Sequence, residues 1–297
     1  VGVDVAVLAE AEWTARRAAH QRRVDAWLEP HLRRRRRGER HPVQDFLFDY
    51  YSYRPAQLRR WHPGPGVLLA GPAATGYLRF SGYRQTPDGV ELDRAALGER
   101  RADSARWIRR LLSATTERPA QLGCFGLHEW AMVYRAPDGQ IRHAGQPLRF
   151  DAGRIAEIVE QHRLACTHFD AYRFFTGPAR ARNAVAPSRP DQLELEQPGC
   201  LHANMDLYKW AYKLAPFVDS ELIADAFALA WEIRELDMRA SPYDVSALGY
   251  EPVRIETAPG RADYARSQRA FADRAAVLRR RLLAAIDRAL EPVSLGS

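Results

Sequence analysis

Residues able to do chemistry concentrate in Gly199-Cys200-Leu201-His202-Ala203-Asn204-Met205-Asp206-Leu207-Tyr208-Lys209-Trp210-Ala211-Tyr212-Lys213. Lys209 and Lys213 are the only lysines in a chain whose Lys and Arg together number 44. Arginine keeps its proton at any working pH, whereas a partly buried lysine can lose it. The run reads as a helix, which brings Asp206, Lys209, Trp210 and Lys213 close to one face. There Asp206 could position or deprotonate a water, with His202 beside it. Lys209 could hold a phosphate, or attack a sugar carbon if desolvation lowered its pKa. The plain alternative is an Asp206–Lys209 surface ion pair contributing under about 1 kcal/mol.

Each of the three cysteines is followed closely by a histidine and then an acid. The segments are Cys124-Phe125-Gly126-Leu127-His128-Glu129, Cys166-Thr167-His168-Phe169-Asp170, and Cys200-Leu201-His202 with Asp206 beyond. On a strand, residues two or four apart share a face, so Cys124 would sit with His128, and Cys166 with His168 and Asp170. Convergence of the three segments would give a mononuclear site of His and carboxylate ligands for iron, or one with thiolates for zinc. His128, Glu129 and His168 are the candidate metal ligands. No dedicated spacing such as Cys-x-x-Cys or His-Glu-x-x-His occurs, and small cysteines and satisfied histidines also serve as plain core.

A second concentration is aromatic. Tyr50, Tyr51, Tyr53 and Trp61 lie among Arg54, Arg59 and Arg60. Rings interleaved with guanidinium groups suit stacking on a base or another planar ligand, and equally suit a packed core. Tyr50, Tyr51, Arg54, Trp61, Trp130, Asn204 and Tyr208 are the candidate substrate-binding residues. The formal charge of +7 raises the odds of a polyanionic partner, and Arg33 to Arg37 form an unbroken block. That block is either a phosphate-binding arm or a solvated one.

The elements that must position these groups follow from periodicity. Ala6 to Arg37 reads as one basic helix, with Pro30 kinking or ending its middle. Strands are expected at Val67 to Leu69, Tyr77 to Tyr83, Leu122 to Leu127 and Trp130 to Arg135. Thr86-Pro87-Asp88-Gly89 reads as a hairpin turn, and Pro137-Asp138-Gly139 as a second, leading to Gln140 to His143. Ala102 to Leu112 and Gly153 to Arg163 read as helices, Cys166 to Phe175 as a strand, and the proline-rich Arg180 to Gln197 as a surface loop. Helices return at Met205 to Leu214, Ser220 to Met238 and Arg261 to Leu290. The expected fold is a single α+β domain over residues 1–297, with an antiparallel sheet in the middle of the chain and helical N- and C-terminal regions (about 6–37 and 204–290). No apolar run reaches the roughly 18 residues of a membrane span, and the first twelve residues do not read as a secretory signal. Three cysteines at unframed spacing favour a reducing compartment, so the location expected is cytoplasmic.

His41-Pro42-Val43-Gln44-Asp45-Phe46-Leu47-Phe48-Asp49-Tyr50-Tyr51, Gly126-Leu127-His128-Glu129-Trp130 and Leu201-His202-Ala203-Asn204-Met205-Asp206-Leu207-Tyr208-Lys209 resemble a family of actinobacterial proteins commonly labelled 3-methyladenine DNA glycosylase. The resemblance covers most of the chain. It implies excision of alkylated bases from DNA by N-glycosidic bond hydrolysis, without a cofactor. A Leu-Pro-Gly-Val-Gly hairpin followed by a catalytic Asp is missing, so no catalytic residue is carried over by motif.

Three readings follow. A glycosylase would use Asp206 or Asp170, with Lys209 and His202 as further catalytic candidates, on DNA held by the arginines. A metal-dependent enzyme would use iron or zinc on a small aromatic or phosphorylated substrate. A non-enzymatic nucleic-acid binder would need only the arginines. No glycine-rich phosphate loop, dinucleotide fingerprint or Gly-x-Ser-x-Gly elbow occurs.

Overall fold

The computed structural model describes residues 5–137 and 145–291. The chain opens with a short strand, β1 (Ala6–Leu8), and a long helix, α1 (Glu10–Arg36). The expected single helix from Ala6 is thus corrected at its start. Pro30 lies inside α1 without ending it. The turn beyond is tied down by Asp45, whose carboxylate meets His31 Nδ1 at 3.0 Å and accepts from Arg34 Nε at 3.0 Å. Arg34 therefore leaves the arginine block for an ion pair, while Arg33, Arg35, Arg36 and Arg37 stay exposed.

Two short helices follow, α2 (Phe46–Tyr50) and α3 (Pro55–Leu58), then β2 (Val67–Leu69), a 3-10 turn (Pro72–Tyr77) and the hairpin β3 (Tyr83–Thr86) and β4 (Gly89–Leu92). The sheet order is β1-β2-β4-β3. The sheet is mixed rather than purely antiparallel, because β1 runs parallel to β2. A helical crossover between two strands permits that pairing, and α1 lies within the connection. Gly89 is required at the hairpin, since a Cβ there would stand 2.3 Å from the Leu69 carbonyl oxygen. The sheet packs with Trp13, Trp61 and Tyr77 into a core cluster of its own.

The remainder is helical: α4 (Gly98–Glu117), α5 (Leu127–Ala131), α6 (Ala152–Glu160), α7 (Phe169–Tyr172), α8 (Gly177–Arg182), α9 (Gln192–Leu195), α10 (Leu201–Lys213), α11 (Ser220–Ala240) and α12 (Ala258–Leu290). Side-chain caps start the two longest of the last three. Asp219 accepts from Leu222 N at 2.7 Å, and Thr257 Oγ1 accepts from Gly260 N at 3.2 Å. The acidic face of α11 is taken up by arginines of its neighbours: Arg16 meets Glu221, Arg23 and Arg281 meet Asp225, and Arg274 meets Glu232.

Four expected strands are corrected. Leu122 to Leu127 turns at Phe125 and Gly126, both with positive φ, and Trp130 to Arg135 is the end of α5 followed by turns. Only the start of Cys166 to Phe175 is extended before α7 begins. Tyr77 to Tyr83 is turn until β3, and Arg180 to Gln197 is not a bare surface loop, since α9 lies in it and Gln192, Glu196 and Gln197 are buried. The second turn at Asp138-Gly139 and the run Gln140 to His143 lie outside the described residues. No helix among the described residues is long and apolar enough to cross a membrane.

Candidate metal centre and an adjoining basic cleft

Gly126, at φ +75°, holds the left-handed turn that starts α5, and a Cβ there would press to 3.2 Å of the Tyr264 ring. The turn buries His128 and Glu129 inside the main core. Helix α10 brings His202, Asp206 and Lys209, and α11 brings Arg234 and Asp237. His168 and Asp170 come from the start of α7, Glu196 from the residue after α9, and Tyr51 from the end of α2. The three Cys-His segments of the sequence therefore do converge, although by turns and helices rather than by strands.

The cluster has two halves. In one, His128 Nε2 meets Asp237 Oδ1 at 2.7 Å, and the Cys124 thiol lies 3.4 Å from His128 Nδ1. Arg234 Nη1 reaches Glu129 Oε1 at 3.1 Å and Asp237 Oδ2 at 3.4 Å. In the other, His168 Nε2 lies 3.3 Å from Asp206 Oδ2 and 3.5 Å from Glu196 Oε1. The Tyr51 hydroxyl donates to Asp206 Oδ1 at 2.9 Å, and the Lys209 ammonium contacts Asp206 and reaches Asp170 Oδ2 at 3.2 Å. His202 joins the halves, with ring centroids 4.4 Å from His128 and 5.4 Å from His168. Its ring nitrogens make no hydrogen bond to any described residue.

Two sets of side chains have their ligand atoms within 4.8 Å of one another: His128, His202 and Asp237, and His168, Glu196 and Asp206. Where the halves meet, Glu129, His168, Asp170, His202 and Asp206 line a cavity of about 20 Å³, walled also by Tyr50, Tyr51 and Phe46. Its volume suits about one water or one ion and excludes a nucleobase.

Burial pushes the Asp206 carboxyl up, but the Lys209 charge and the His168 bond outweigh it and hold the group well below the usual carboxylate range. Asp237 is held low in the same way by His128. Burial raises the pKa of Glu129 and Glu196, the former with help from Asp237. Burial, and the charge of His128, depress His202 well below its ordinary value, which keeps its imidazole neutral and its lone pair free for a ligand. For Lys209, burial is outweighed by Asp206 and Asp170, so its pKa rises. A lysine nucleophile would need the opposite shift, and with Asp206 in contact and Asp170 at 3.2 Å the geometry favours a counter-ion role for Lys209.

A larger cleft of about 940 Å³ lies on the other side of the Tyr50–Tyr53 segment. Arg59, Arg60, Arg79, Arg101, Lys213 and His62 line it, with Tyr53, Phe80 and Tyr212 and with no carboxylate. Arg60 and Arg79 lie over the Phe80 ring at 4.4 and 4.8 Å. Tyr53 stacks on Tyr212 at 4.9 Å, and Tyr51 meets Tyr212 edge-on at 6.3 Å, so a layer of rings separates cleft from cavity. Burial and the neighbouring Arg60 push the His62 imidazole down to about 4.

The predicted substrate-binding residues divide. Tyr50 and Tyr51 wall the cavity, and Tyr208 packs edge-on against Tyr51 at 5.3 Å. Trp61 belongs to the sheet's core and donates to Glu221 Oε1 at 2.8 Å. Trp130 is fully buried and donates to the Ala240 carbonyl at 2.8 Å. Asn204 is buried between Pro198 O, to which it donates, and Arg279, from which it accepts at 2.7 Å. Arg54 is exposed ahead of α3, lining neither cavity nor cleft.

Glu196 and Asp237 are the site residues that the sequence does not bring forward. Asp237 carried a signal: it falls one turn beyond Ile233, on the apolar side of α11, away from Glu232 and Glu235. Glu196 carried none beyond its place before Gln197-Pro198. No protein-family model, no curated protein and no solved structure matches the chain.

Proposed function

We propose that the protein is a metal-dependent enzyme whose buried histidines and carboxylates hold a divalent transition ion. One observation carries the reading. An ion-sized cavity in the core is lined by two imidazoles and three carboxylates, and among them is a neutral His202 whose ring nitrogens bond to no described residue. Mixed imidazole and carboxylate ligands suit iron, manganese or zinc, and a purely structural ion-pair network has no use for His202. Such an ion, when bound, supplies Lewis-acid polarisation or redox chemistry. The chain's own groups do the rest. Tyr51 fixes Asp206 in orientation, Lys209 neutralises it, and the apolar walls of Phe46, Met132 and Phe174 keep bulk water out.

The basic cleft gives the substrate its class. Arg60 and Arg79 above the Phe80 ring favour a small anionic molecule with a planar ring, and the tyrosine layer behind Tyr53 stands between that cleft and the cavity. Metal content of the purified, unchelated protein tests the reading. A transition metal near or above one equivalent, lost in His202→Ala and His168→Ala proteins that still fold by circular dichroism, is the expected result. Absence of metal, with none taken up from added Fe(II), Mn(II) or Zn(II), overturns it.

A second reading, excision of alkylated bases from DNA, draws on the same cleft, whose rings and arginines would also accept a flipped base beside a phosphate. Its weakness is that Asp206 sits in a space too small for a base. Release of free base from alkylated duplex DNA, abolished by Asp206→Asn in the absence of any metal requirement, would favour it over the metal reading.

A further inference from the structure

We infer that the cluster is built for two metal ions side by side, with His202 at their junction, an inference that rests on the metal-dependent reading above. Two groups of three candidate ligands exist that share no residue: His128 with His202 and Asp237, and His168 with Glu196 and Asp206. They are neighbours, because the His202 ring faces both His128 and His168. Glu129 borders the same cavity and adds a fourth buried carboxylate.

Ligand arithmetic favours a pair. A single ion with four to six positions cannot use three imidazoles and four carboxylates. Two ions can, and dinuclear carboxylate centres in helical cores are assembled from a comparable set of about four carboxylates and two histidines. Distances point the same way in the His168 half, whereas in the His128 half the 2.7 Å contact from His128 Nε2 to Asp237 Oδ1 is a hydrogen bond that an ion would have to replace. The 3.3 and 3.5 Å separations from His168 Nε2 to Asp206 and Glu196 are long for charge-assisted hydrogen bonds. They match the ligand-to-ligand edge of about 3.4 Å in a tetrahedron with metal bonds of about 2.1 Å. The other half has the outer support that ligating histidines usually need, because the Cys124 thiol stands at Nδ1 of His128.

Each half also keeps its own cation, Arg234 against Glu129 and Asp237, and Lys209 against Asp206 and Asp170. Lys209 competes for the Asp206 oxygen that the second ion would use, and Asp170 is the carboxylate that can carry the displaced ammonium. Each position is closed by a contact that an ion would replace: the Lys209 ammonium at Asp206 in one half, and the 2.7 Å bond between His128 Nε2 and Asp237 Oδ1 in the other.

The test is metal alone. The full-length protein is stripped with chelator and titrated anaerobically with Fe(II), and separately with Mn(II), and the bound equivalents are counted by mass spectrometry after gel filtration. Two equivalents binding in two steps, with Glu196→Gln and Asp237→Asn each retaining only one, is the expected outcome. An exchange-coupled Mn(II) signal in paramagnetic resonance, absent from both variants, would accompany it. One equivalent in the unmodified protein overturns the pair and leaves the metal-dependent reading standing. No binding at all overturns both. Should either variant fail to fold, the stoichiometry and spin coupling of the unmodified chain still decide.

Discussion

The buried cluster and the basic cleft lie on opposite sides of one layer of tyrosines and handle charge in opposite ways. In the cluster, four carboxylates are withdrawn from water, three of them against histidines and Glu129 against Arg234, with one cation to each half. In the cleft, five cations line the wall with no carboxylate among the lining residues, and of the five Arg59 alone reaches back to a described carboxylate, Asp25. Charge taken into a core must be matched partner by partner, because desolvation costs several kcal/mol per ion. Charge left at a surface need not be matched and so remains available to a ligand. The contrast teaches where specificity resides: geometry in the cluster, long-range attraction in the cleft.

The sharpest way to break the comparison is to remove one partner inside the cluster. Asp206→Asn leaves the Lys209 ammonium, 13% exposed, with Asp170 alone. We expect a loss of about 3–5 kcal/mol in urea denaturation of the metal-free protein, with metal uptake reduced as well. A loss below about 1 kcal/mol would show that the pair is no more buried in effect than a surface one.

Second in size is a pH effect at the cleft wall. His62 has its folded pKa depressed to about 4 from an ordinary value of 6.5, so the unfolded chain binds more protons between those values. Its contribution is fully present above about 6.5 and is lost as pH falls toward 4, by about 2–3 kcal/mol. Comparing the stability of the unmodified protein with that of His62→Gln from pH 7 to pH 4 checks this. The variant should show the shallower decline.

Third, the double change Arg60→Ala with Arg79→Ala should weaken binding of inorganic pyrophosphate at least about tenfold by calorimetry and flatten its salt dependence, while stability moves by less than about 0.5 kcal/mol. Unchanged affinity would remove the cleft from the substrate's path. The smallest effect belongs to the outer lattice. Arg109 and Asp287 are both about half exposed at 49% and 50%, and Arg109→Ala should cost under about 0.5 kcal/mol in the same denaturation assay.

Much of this arrangement was legible in residue pattern. Helices α10, α11 and α12, strand β2 and the Thr86–Gly89 hairpin follow from apolar periodicity and turn chemistry. The short apolar runs around Leu127, Trp130 and Phe169 did not, because four or five residues of aromatic and aliphatic character fit a buried strand and a single helical turn equally well. What decided them was glycine and positive φ at Phe125 and Gly126, a tertiary outcome set by the packing of Tyr264. The site was legible in the same proportion. His128, His168, His202 and Asp206 stood out beside cysteines, and the pairing of Asp206 with Lys209 was visible as the plain alternative to a catalytic role. Its burial was not, since sequence spacing cannot say which face of α10 meets α11. Glu196 became visible only once the chain after α9 folded back over His168.

Helix α10 has one consequence beyond holding ligands. Its 13 residues form a rod about 20 Å long. His202 and Asp206 sit at the cluster, while Tyr212 and Lys213 sit at the cleft. A helix packed along its length is stiff, so α10 fixes the spacing between the two compartments. They share no lining residue, yet one rod sets how far apart they stand.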